Sequence, residues 1–202
     1  VFGARPLRRV IPLLGQFDLS PLVLLVILQI ALILLAHLRA TAGGLQATRH
    51  LLRLGRKRIA YVGSSSDHWP EFQARCSGYE RALREAGIEP DPRLSVEAQS
   101  SEQAGHEAAA GLLDSGVPFD ALFALRDRGR SVPGDVAVVG FDDIAAAAHF
   151  IPPLTTVQQD THRAADMLVD NLLKMTAGEP VESALIEPQL VIRGSCGGSA
   201  HA

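Results

Sequence analysis

From Ile59 onward the chain alternates short apolar runs with amphipathic stretches, and that alternation restricts the fold more than any other feature. Ile59–Gly63, Leu94–Ala98, Phe119–Leu125, Val136–Gly140, Thr155–Val157 and Leu185–Ile192 read as strands. Val136-Ala137-Val138-Val139 is apolar without interruption, as a strand covered on both faces requires. Pro188 puts the last strand at an edge, because proline cannot donate to a ladder. Between the strands lie helical patterns at Phe72–Ala86, from the capping-box spacing Ser100-x-x-Gln103 to Leu113, and at Asp160–Ala177. The last of these carries Ala164, Leu168, Leu172 and Met175 on one stripe, expected to be buried. A further helix is expected over Gly43–Leu54. The pattern predicts an α/β fold, a mostly parallel sheet with helices on both faces.

In such sheets ligands bind beyond the carboxyl ends of the strands. Those ends are Ser64–Asp67, Leu125–Asp127 and Phe141–Asp143, so Ser64 becomes a candidate ligand contact. No glycine-rich phosphate motif follows any strand, and no cofactor is implied. Cys76 and Cys196 form no C-x-x-C, which argues against a zinc site. Asp142 and Asp143 are neighbours on a loop with no nucleophile or metal motif beside them, so no catalytic residue is assigned and the chain is read as a binding module, not an enzyme. His50, among leucines, reads as a core or rim histidine. Arg56-Lys57-Arg58 reads as a solvated turn.

The first forty residues have a different character. Residues 1–58 hold nine Lys/Arg and one acid, a net of +8, whereas the remainder carries −11. Leu22–Ala36 has Gln29 as its only polar residue, and Leu22–Leu38 approaches the roughly 20 apolar residues that span a bilayer. The expectation is a hydrophobic, transmembrane segment over 1–39 and a globular domain over 40–202. Composition as a whole, 47% apolar and 20% charged, excludes a disordered chain and a multi-span membrane protein.

Two resemblances follow from particular residues. Arg5-Pro6-Leu7-Arg8-Arg9 through Pro12, then Asp18-Leu19-Ser20-Pro21, resembles the end of a YggT-type small membrane protein over about residues 1–38. Four blocks resemble the effector-binding domain of LacI/GalR transcriptional repressors: Ala47–Gly63, Arg75–Tyr79, Val132–Asp143 and Pro152–Gln159. This second resemblance implies a two-lobed periplasmic-binding-protein fold, a sugar- or nucleobase-like effector in the cleft, a homodimer, and DNA contact through an upstream helix-turn-helix. Carried across residue by residue, it makes Arg75 and Asp142 effector contacts, with Gln159 lining the cleft near the hinge. It also implies a cytoplasmic location, or a membrane-associated one if residues 22–38 span.

The departures from that pattern carry expectations of their own. No helix-turn-helix is visible, so no sequence-specific DNA binding is expected. Most of the first lobe is missing, with a helix near 43–54 and a return segment near 155–178 as its remnants. After Ala124 about a dozen residues are absent, which leaves Arg126–Asp135 too short and too rich in Gly and Pro for a crossover helix. The strand at 119–125 is then expected at an edge or unpaired, or one sheet face exposed, and effector affinity feeble. The alternatives are a membrane-anchored solute-binding protein and a non-functional fusion product.

Overall fold

The computed structural model describes residues 20–64, 70–99, 101–123, 131–177, 179–180 and 186–198. The chain divides into two compact units, Val1–Leu38 and Arg39–Ala202. The second is built on a six-stranded sheet: β1 Ile59–Gly63, β2 Ser95–Glu97, β3 Ala121–Phe123, β4 Ala137–Phe141, β5 Thr155–Gln158 and β6 Gln189–Val191. Its order is β2-β1-β3-β4-β5-β6. The first five strands are parallel, with Ala121 opposite Ala137 and Val139 opposite Thr155. β6 runs antiparallel at the edge beside β5, with Pro188 just before its first residue. Four helices accompany the sheet: α1 Ser20–Arg53, α2 Pro70–Glu85, α3 Glu102–Asp114 and α4 Thr161–Ala177.

Alternating side chains send two sets of apolar groups to the two faces. On one face Ile59, Tyr61, Phe123, Val139 and Val157 meet Ala47 and Leu51 of α1 and Tyr79 and Leu83 of α2. On the other, Ala60, Leu122 and Val138 meet Leu112 of α3, with Phe119, Ala147 and Leu154 from the loops. α1 and α2 pack backbone to backbone. A Cβ on Gly44 would overlap the Arg75 carbonyl oxygen, and one on Gly78 would overlap that of Thr41.

Several expectations need correction. The stretch 43–54 is no separate helix and no remnant of another lobe. It is the end of α1, a single 34-residue helix from Ser20, and it packs on this sheet. Gly43 and Gly44 cost helix propensity, but burial against α2 and Phe141 outweighs it. Among the described residues no helix is long and apolar enough to cross a membrane, so the transmembrane segment and the membrane partner are not supported. The apolar run Leu22–Ala36 is fifteen residues with Gln29 in its middle, short of the roughly 20 required, and the helix continues past it into Arg39 and the packed stretch. The helix after β2 is capped by Ser101, whose side chain accepts from the Ala104 amide at 3.1 Å; Ser100 lies outside the described residues.

The connector after β3 also departs from expectation. β3 is central, paired in parallel with both β1 and β4. Neither face of these strands is bare, since Leu122 and Val138 are each 3% exposed. α3, Phe119 and the Ala145–His149 turn cover the face assigned to a missing helix. Residues 124–130, including Leu125–Asp127, lie outside the described residues, as do Ser65–Asp67 and residues 1–19. The stripe expected to be buried on α4 is not: Leu168 is 72% exposed and Ala164 half-buried, while the Leu172 and Met175 side chains are not described. Both sheet faces are already filled, so the apolar period of α4 has no sheet surface left to cover.

The two core tyrosines give this unit an alkaline limit. Tyr79 donates to the Ile59 carbonyl at 2.8 Å, and Tyr61 stacks on it with ring centroids 5.4 Å apart. Burial, then the nearby Cys76, pushes both phenols well above the usual tyrosine value. A phenol whose folded pKa is raised contributes stability that is complete below its unfolded value of about 10 and is lost as pH rises beyond it. The melting temperature is therefore expected to fall steeply above about pH 10, and less steeply in Tyr79→Phe. Parallel curves for the two proteins between pH 8 and pH 11 would refute this.

Candidate functional site

β4 and β5 deliver their ends to one spot. β4 finishes at Phe141, and the chain then turns through Asp142 and Asp143 with φ of 73° and 41°. That left-handed region is tolerated by aspartate better than by most residues, and it persists where surrounding contacts over-determine it. Asp143 is held from behind. Its carboxylate accepts from Arg193 Nη1 at 2.6 Å and Gln158 Nε2 at 3.2 Å, and its amide donates to Thr156 Oγ1 at 3.3 Å. Arg193 Nη1 also donates to the Leu154 carbonyl at 2.8 Å. Ser195 completes the brace, donating to the Val138 carbonyl and accepting from the Thr155 amide.

With Asp143 fixed, Asp142 faces the other way. Its Oδ1 accepts from Gln159 Nε2 at 2.8 Å, and its Oδ2 lies 3.3 Å from Arg75 Nη2. Arg75 comes from the first half of α2, with its guanidinium carbon 3.9 Å from the Phe141 ring centroid and 4.8 Å from that of Phe72. The arginine side chain is 11% exposed and its Nε is buried without a hydrogen-bond partner, whereas Asp142 is 46% exposed. A pair this open contributes at most about 1 kcal/mol to stability. Its chemistry suits recognition better: a planar cation with a spare donor, a reachable carboxylate and an amide, beside aromatic walls.

The structure thus brings together Arg75, Asp142 and Gln159. Ser64 is elsewhere on the same side of the sheet, at the end of β1, donating to Glu97 Oε1 at 3.4 Å at the end of β2. The two aspartates do not face each other and serve different partners. Sequence reasoning missed Phe72 and Phe141 as walls and Arg193 as the brace. The aromatic three positions before Arg75 on its helix was the available signal for Phe72. His50 does lie in the core rim, with Nε2 3.3 Å from Cys196 Sγ. Burial would raise the Cys196 thiol pKa, but hydrogen bonds to His50, Thr155 and the Gly198 amide outweigh it and hold the pKa below the usual value.

Comparison with known proteins gives two family matches. The periplasmic binding protein-like domain family matches residues 48–196. The CCB3/YggT family matches residues 4–39. Among curated relatives, the HTH-type transcriptional regulator CelR of Thermobifida fusca is 38% identical over 169 residues, covering 76% of this chain and 49% of its own. Among solved structures, a sugar-binding LacI-family transcriptional regulator from Escherichia coli, complexed with phosphate, superposes with a TM-score of 0.72 at 28% identity, covering 78% of this chain and 61% of that one. A CelR–cellobiose complex gives a TM-score of 0.67 at 34% identity, covering 78% and 52%. The chain spans about half the length of the curated relatives it matches. These relatives are transcriptional regulators rather than enzymes.

Proposed function

The chain belongs to the periplasmic binding protein-like domain family, and from that membership we propose that it is the ligand-sensing domain of a LacI-type transcriptional regulator, taking a small sugar-like effector at Arg75, Asp142 and Gln159. The observation that carries this reading is the convergence of those three side chains beyond the ends of β4 and β5. A carboxylate that already accepts from an arginine and an amide is positioned to accept from ligand hydroxyls, and the buried Arg75 Nε supplies a donor. The Phe141 and Phe72 rings suit the apolar face of a sugar ring. Ser64 belongs to the outer margin of the same strand-end surface. DNA contact and a family-type homodimer are roles of the complete regulator.

Calorimetric titration with cellobiose as probe tests the site. Asp142→Ala and Arg75→Ala should each weaken binding by about 1.5–3 kcal/mol, the range for a hydrogen bond to a charged group. Unchanged affinity in both variants would eliminate this site.

A further inference from the structure

A cavity of the sheet-bearing unit lies away from Asp142. Gln46, Arg49, His50 and Arg53 recur at i, i+3, i+4 and i+7 on α1 and share one face. That face lines an open cavity of about 690 Å³, bordered also by Asp160 and Arg163 at the head of α4 and by segment 186–190. The size falls within the roughly 300–1,000 Å³ of small-molecule sites. Two of its basic side chains are already engaged: Arg49 donates to Glu85 from Nε at 3.1 Å, and His50 meets Cys196. Arg53 and Arg163 form no ion pair among the described residues. Gln46 Oε1 is buried and has no hydrogen-bond partner. A buried orphan acceptor is costly unless a donor fills it.

We propose that this cavity binds the phosphate monoester of a sugar or sugar alcohol, with the phosphate between Arg53 and Arg163 and a hydroxyl donated to Gln46 Oε1. Guanidinium forks match phosphate oxygens in geometry and charge. The orphan acceptor calls for a donor that inorganic phosphate presents poorly at neutral pH and a polyol presents well. Asp160 and Glu187, also on the lining, disfavour a second phosphate and accept further hydroxyls. Asp160 Oδ1 is taken by the Arg163 amide at 2.9 Å, which also fixes the first turn of α4 and hence the placement of Arg163. This site shares none of the Arg75, Asp142 and Gln159 side chains and does not depend on the reading of that cluster.

The test is calorimetry on the full chain with glucose 6-phosphate, inorganic phosphate and glucose as separate probes. Glucose 6-phosphate should bind at least tenfold more tightly than either of the others. The double variant Arg53→Gln, Arg163→Gln should lose at least tenfold, and Gln46→Leu several-fold, with melting temperatures close to the parent's confirming that both fold. Saturating cellobiose should leave the glucose 6-phosphate titration unchanged, so failure of cellobiose to bind would refute only the effector reading. Equal affinity for inorganic phosphate, no binding of glucose 6-phosphate, or a double variant within twofold of the parent would each overturn the proposal.

Discussion

Gly78→Ala is expected to cost about 3 kcal/mol, at the upper end of the range for overpacking. The new Cβ would overlap the backbone carbonyl oxygen of Thr41, and the Leu45 amide nitrogen stands beside it. Neither can rotate away as a side chain could, so α1 and α2 must separate along a contact that also holds Gly44 against Arg75. For a unit of this size, 3 kcal/mol corresponds to a drop in melting temperature on the order of 10 °C. Gly111→Ala is the matched control. It too lies inside a helix, but its Cβ would meet nothing within 4 Å. It should gain about 0.5–1 kcal/mol from helix propensity alone. If the two variants shifted in the same direction by similar amounts, the close crossing of α1 and α2 would be wrong.

Removing Arg193 should cost nearly as much. Its side chain is 20% exposed and that of its partner Asp143 is 10% exposed. Truncating Arg193 in this part-buried pair removes the charge-assisted hydrogen bond to Asp143, at a cost of about 1.5–3 kcal/mol. Arg193→Ala should therefore shift the urea midpoint far more than Asp142→Ala, whose pair is half open to solvent. The loss should also reach the candidate site, because Asp143 holds the left-handed turn that aims Asp142 at Arg75. Cellobiose affinity should fall in Arg193→Ala although Arg193 makes no contact in the cluster. Adding Asp143→Asn should restore part of the stability, since it removes the stranded charge. A loss below about 1 kcal/mol would show that the pair behaves as an exposed one and does not brace the turn.

Much of this was legible without coordinates. The run Val136–Val139, apolar at every position, could only be a strand covered on both sides, and Ala137, Val138 and Val139 are all buried. Pro188 foretold an edge, and β6 is one. The strand-end rule, with the resemblance of the blocks around Arg75 and Asp142, picked out three side chains that the fold does bring together. Ser64 obeyed the same rule but ended beside Glu97, because the rule names a side of the sheet and not a place along it.

What the sequence could not convey was which surfaces find partners. Local spacing assigned α4 a buried stripe, since periodicity shows that a helix can cover an apolar surface but not that one is free. Local counting put β3 at risk, since ten residues between strands are too few for a crossover helix. Yet pairing depends on the cores that α1, α2 and α3 build on either side, and those place β3 at the centre. Gly43 and Gly44 looked like a helix start and proved to be the crossing point of a helix already under way. Short-range chemistry along the chain thus determined the kinds of element and the strand ends that carry the candidate site. Tertiary packing decided order, burial and cavity, because these depend on groups far apart in sequence competing for the same surface.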